Sequence, residues 1–74
     1  MLQRSVEGIL VSIAPLSIHG QVIWDVFFTA AGSPDTVTVA RIGPESVEKD
    51  LRPGDRIVVH TLFGVASQIR RAAG

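Results

Sequence analysis

Valine and isoleucine dominate the apolar residues of this chain: ten Val and seven Ile stand against five Leu and one Met in 74 residues. Both side chains are stiff at χ1 and suit a pleated surface better than a helix, so the chain is expected to fold as β-structure. The clearest segment is Gln21 to Thr29. Its even positions, Val22, Trp24, Val26 and Phe28, are all large and apolar, so that face is read as core and Trp24 as a core residue. A first strand is read over Glu7 to Ala14 with Ile9, Val11 and Ile13 on one parity. Leu16 to Gly20, following Pro15, reads as a loop. Thr36 to Ile42 gives a third strand with Val37 and Val39 sharing a face, on which Arg41 must then reach water by a bulge or an edge.

After Gly43 the period changes. Pro44 suits a first helical position, Glu45 and Glu48 favour a helix N-terminus, and Val47 and Leu51 lie four apart, which together predict a short helix between Pro44 and Leu51. Pro53-Gly54-Asp55 then forms a turn. Arg56 to Leu62 reads as a fourth strand with Ile57, Val59 and Thr61 on one side. Phe63-Gly64 reverses the chain, and Val65 to Arg71 gives a fifth strand with Val65, Ser67 and Ile69 on one face. Arg70, Arg71 and residues 72–74 are expected to fray.

Length confines these elements to a single domain, 1–74. No apolar stretch is long enough for a membrane-spanning helix, and the first residues, carrying Arg4 and Glu7, lack a signal-peptide core, so a cytoplasmic location is the expectation. Without cysteine there is no disulfide framework and no thiolate metal site. Seven basic and seven acidic residues cancel, which removes the footprint of a strong nonspecific nucleic-acid binder.

The order of three strands, a short helix and two strands resembles the five-stranded Greek-key barrel of the OB-fold, in which a helix between the third and fourth strands covers one open end. An SH3-like barrel is the nearest competitor. The runs Gly8 to Ile13, Ala40 to Glu48 and Leu51 to Asp55 also look like the molybdate-binding Mop and TOBE small barrels. That resemblance implies oxyanion binding at subunit interfaces. The family's serine is matched by Ser46, whereas its threonine is replaced by Gly43 and its Lys-Ala pair falls near Leu62-Phe63.

His19 and His60 stand without the clustered partners that metal or triad chemistry needs, so no enzymatic activity, metal or cofactor is expected. The glycines at positions 8, 20, 32, 43, 54 and 64 read as turn or strand-start residues, since none has the phosphate-loop spacing. Phe27 is different, because it shares its parity with Asp25 and Thr29 and so lies on the outward face of the second strand. With Phe63 it forms a candidate pair of stacking platforms for single-stranded DNA or RNA, with Arg41, Arg70 and Arg71 meeting phosphates. The alternative is a protein-interaction or self-assembly module anchored by Ile23 and Phe27, with oxyanion binding third.

Overall fold

The computed structural model describes residues 3–73. They form one antiparallel sheet of five strands: β1 (Gln3–Ile18), β2 (Gln21–Ala30), β3 (Val37–Ile42), β4 (Arg56–Leu62) and β5 (Val65–Arg71). The strands lie in the order β3-β2-β1-β4-β5, so the longest strand is central. Its first half, Gln3 to Ile9, ladders with β4, and its second half, Gly8 to Ile18, with β2. β3 and β5 are the two edges, and no ladder joins them; a single parallel bridge, Val47 to Ile69, ties the β3–β4 connection to β5. The sheet is therefore open.

β1 serves two partners because it bends. A bulge falls between Leu10 and Ser12, where two residues oppose the single step from Phe28 to Phe27. Just before it, Gly8 faces Ala30 on one side and Ile57 on the other, and a Cβ there would collide with the Thr29 carbonyl oxygen. Gly8 is thus a close-approach residue inside a strand, not a strand start. The Arg52–Asp55 turn docks on the bulge: Gly54 N–H donates to Leu10 O at 2.8 Å and Leu10 N–H to Asp55 O at 2.9 Å.

The bulge also corrects the parity read from the sequence. Leu10 is buried while Ile9 and Val11 are exposed, and only beyond the extra residue does Ile13 turn back to the core. A second bulge, between His60 and Thr61 of the β4–β5 pair, does the same to β5: Ala66 and Ile69 face inward, and Val65 and Ser67 face water. In β3 the core face is Ala40 and Ile42; Val37 and Val39 point outward, and Arg41 is on the water side with them and needs no bulge.

The expected loop from Leu16 to Gly20 shrinks to two residues. His19 and Gly20 have φ of 50° and 78°, as Phe63 and Gly64 have 54° and 79°, the left-handed pair that closes the tightest hairpins. Pro15 is tolerated because the β4 ladder ends at Ile9, leaving β1 an edge beyond it. The predicted helix from Pro44 to Leu51 is one 3-10 turn, Pro44–Ser46. Val47 leaves helical geometry to bridge Ile69, and Asp50 sits at φ 64°, so the segment closes by tertiary contact rather than by helical hydrogen bonds.

Eight side chains form the core: Leu10, Val26, Phe28, Ile42, Val47, Ile57, Val59 and Ile69. Trp24, expected in the core, packs against them only half-buried, opposite Pro15 and Ile42 in the first half of β2, and Val22 on the same parity is exposed because the β3 ladder ends at Trp24. The C-terminal arginines do not fray. Arg71 N–H and Nη1 donate to the Glu48 carboxylate at 3.0 and 2.9 Å, Nη2 donates to Asp50 O at 2.9 Å, and Ala72 N–H donates to Arg56 O. Gly74, of the expected tail, lies outside the described residues.

This clasp fastens the β3–β4 connection to β5. Both side chains are more than a third exposed, so solvent screening limits the ion pair itself. Glu48→Gln is expected to cost up to about 1 kcal/mol, which thermal unfolding would read as a fall of about 4–8 °C. An unchanged melting temperature would show that the clasp adds nothing to stability.

Candidate nucleic-acid interface

The open side of the sheet carries the most distinctive surface. Between the β3 edge and the β4–β5 hairpin lies a hollow of about 330 Å³, with Thr38, Val39 and Arg41 on one bank and Thr61, Gly64 and Val65 on the other. A neighbouring hollow of about 410 Å³, lined by Arg4, Phe63 and again Thr61 and Gly64, continues it. The two form one groove from Arg41 to Arg4, and no carboxylate lines either part.

Local structure explains each member. Phe63 is the first residue of a two-residue hairpin turn, where a left-handed backbone lifts the ring out of the sheet, leaving it 70% exposed. Thr38 and Thr61 occupy core-facing positions of β3 and β4 at the place where the missing β3–β5 ladder leaves the interior open. Arg41 lies directly across the ladder from Asp25, and its Nε donates to Asp25 Oδ1 at 2.9 Å. That hydrogen bond, and then the charge of Asp25, raise the proton affinity of the guanidinium. The pair orients Arg41 and half-neutralises it, while its terminal amino groups make no hydrogen bond among the described residues.

The residues singled out in the sequence are only partly brought together. Phe63 and Arg41 line the same groove, and Phe27 stands beside it, half-buried on the outer face and paired with Val39. Arg70 and Arg71 lie at the other end of β5, about 20 Å of strand from the hairpin. Arg70 borders a hollow shared with Glu45 and Glu48, and Arg71 is spent on the clasp. Ile23 is half-buried beside a fourth hollow with Pro44 and Glu45. Arg4, Thr38 and Thr61 were missed, since an N-terminal arginine and two threonines carry no sequence signal for a groove formed by strands not adjacent in order.

The remaining candidates have ordinary surroundings. His60 Nδ1 lies 2.9 Å from Ser5 Oγ across the β1–β4 ladder, and His19 occupies an exposed hairpin turn. Among the described residues no three His, Cys, Asp or Glu side chains are grouped to hold a metal ion. Ser46, the matched residue of the Mop pattern, spends its N–H on Gly43 O and borders the hollow that Glu45 and Glu48 make acidic.

Comparison of the chain with protein-family models finds no match, and comparisons with curated proteins and with solved structures likewise find none. Among the described residues no helix is long and apolar enough to cross a membrane.

Proposed function

We propose that the chain is a non-enzymatic, OB-like open barrel that binds single-stranded nucleic acid weakly along the groove between β3 and the β4–β5 hairpin. The observation that carries this reading is a carboxylate-free groove with an arginine at each end and a 70%-exposed phenylalanine on its rim. Bases stack on an exposed ring whatever their sequence, and arginines at either end meet the backbone on both sides of the stacked base. In OB-folds the face of the second and third strands and the loop between the fourth and fifth strands receive the ligand, and the groove lies beside those elements here. A cytoplasmic location accords with this role.

The formal charge of zero sets the character of the binding. Two phosphate contacts from Arg4 and Arg41 correspond to a slope of about −1.4 in log affinity against log salt for a single strand. Affinity is accordingly low and stacking carries most of it. A chemical-shift titration with a short mixed-sequence single-stranded DNA at low salt is expected to move resonances of residues 38–41 and 61–66. Phe63→Ala should weaken binding roughly ten-fold or more while leaving the melting temperature in place, because one stacked base contributes about 1–3 kcal/mol. Arg71→Ala, outside the groove, should leave the affinity alone. Absence of any shift at low salt, for DNA and RNA alike, would overturn the reading.

A further inference from the structure

Among the described residues the chain leaves as many large apolar side chains exposed as it buries, eight of each. Half of the exposed ones share one surface. Along the ladders, Arg56, Ile9, Thr29 and Val37 form one cross-strand row, Ser12, Phe27 and Val39 the next, and Ala14, Asp25 and Arg41 a third. All point away from the core, which takes Leu10, Val26, Phe28 and Ala40 from the same strands. Ile9 and Val11 at 41%, Val37 at 55% and Val39 at 54% exposure thus surround Phe27 on the outer face of β1, β2 and β3. Contiguous apolar surface on this scale marks a contact site rather than scatter.

Charge shows which partner fits. The apolar block is bounded at two diagonally opposite corners, each holding one acid and one base. Asp25 and Arg41 stand at the β2–β3 corner, and Glu7 and Arg56, which make no ion pair among the described residues, at the β1–β4 corner. A two-fold axis in the plane of the face, along the other diagonal, brings the first corner of one molecule onto the second corner of another. Arg56 then meets Asp25 and Glu7 meets Arg41, both with opposite sign, around apolar centres that cover each other. Isologous pairing requires such a self-complementary patch. A cysteine-free domain with eight core side chains is also the kind of small fold that gains stability by oligomerisation.

We propose that the outer face of β1, β2 and β3 binds a second copy of this chain, forming a two-fold dimer centred on Phe27, Val37 and Val39. The dimer face shares Val39 and Arg41 with the groove, so dimerisation and nucleic-acid binding compete there, whereas Val37 and Ile9 lie outside the groove and report on the dimer alone.

Sedimentation equilibrium of the full chain over about 10 μM to 1 mM tests it, a range that reads dissociation constants in the micromolar class. The apparent mass is expected to rise from the 7.9 kDa of one chain towards that of two. Val37→Glu, at an exposed position, should keep the fold by circular dichroism and raise the dimer dissociation constant at least about ten-fold. Arg56→Glu should weaken the dimer as well and remove the salt dependence of its association. A wild-type chain that stays at 7.9 kDa throughout the range overturns the proposal. So does association that Val37→Glu leaves unchanged.

Discussion

Gly8→Ala is expected to destabilise the fold severely although it adds only one methyl group. The added methyl group would meet the Thr29 carbonyl oxygen, and that atom belongs to the backbone of the neighbouring strand, so it cannot rotate aside. Relief requires β1 and β2 to separate at the place where β1 also holds Ile57 of β4. Overpacking costs about 1–3 kcal/mol, and a contact with immovable backbone puts this one at about 3 kcal/mol, a large part of the 5–15 kcal/mol that holds a typical domain. Thermal unfolding by circular dichroism should fall by roughly 12–24 °C. Gly32→Ala is the control, because nothing lies within 4 Å of a Cβ there. A Gly8→Ala protein that melts within about 3 °C of the wild type would show that the strands do not approach so closely.

Phe28→Ala comes next. Phe28 is 6% exposed and belongs to the core with Val26 and Leu10, so its removal leaves a cavity in a core of only eight side chains. Deletions of this type cost about 3–5 kcal/mol. The adjacent residue makes the result diagnostic. Phe27 stands on the opposite face of β2, paired with Ser12 and Val39, and Phe27→Ala should cost well under half as much. Equal losses for the two variants in denaturant titration would mean that the faces of β2 are assigned wrongly. Small domains with little reserve are sensitive to such losses, so both variants are best compared by unfolding midpoint at low temperature.

The number of strands and their succession along the chain were legible because their cause is local. Val and Ile concentrate in five segments, and Pro53-Gly54 and Phe63-Gly64 punctuate them where the left-handed backbone of Gly54 and Gly64 allows a turn. β2 was read with its correct face over Val26 and Phe28 for the same reason, since no bulge interrupts its pairing with β3 and parity in the sequence equals parity in space, whereas Val22, read as core on the same parity, lies beyond the end of that ladder and is 53% exposed. In β1 and β5 that equality fails. One extra residue near Val11 and another near Ser67 reverse the faces, and a bulge is a property of a pair of strands, not of either alone.

The candidate site follows the same division. Exposure of Phe63 was foreseeable from its place in a two-residue turn, and the outward position of Phe27 from its parity with Asp25. The company these residues keep was not. Arg41 reaches the Phe63 groove only because β3 and the β4–β5 hairpin become neighbours at the open side of the sheet, and Arg4 joins it through the β1–β4 ladder. Arg71 was read as a loose cation, yet Glu48, Asp50 and Asp55 surround it once the β3–β4 connection folds over β5.

By itself the sequence determined that this is a β protein of five strands, because side-chain stiffness and turn chemistry act between near neighbours along the chain; the helix expected from Pro44 to Leu51 contracts to the single turn Pro44–Ser46 once Val47 bridges Ile69. Only the tertiary structure decided that the sheet stays open, that Gly8 marks a strand crossing, and which arginines border a groove. Those features depend on contacts between residues tens of positions apart, whose geometry is set by bulges and strand order and leaves no local trace.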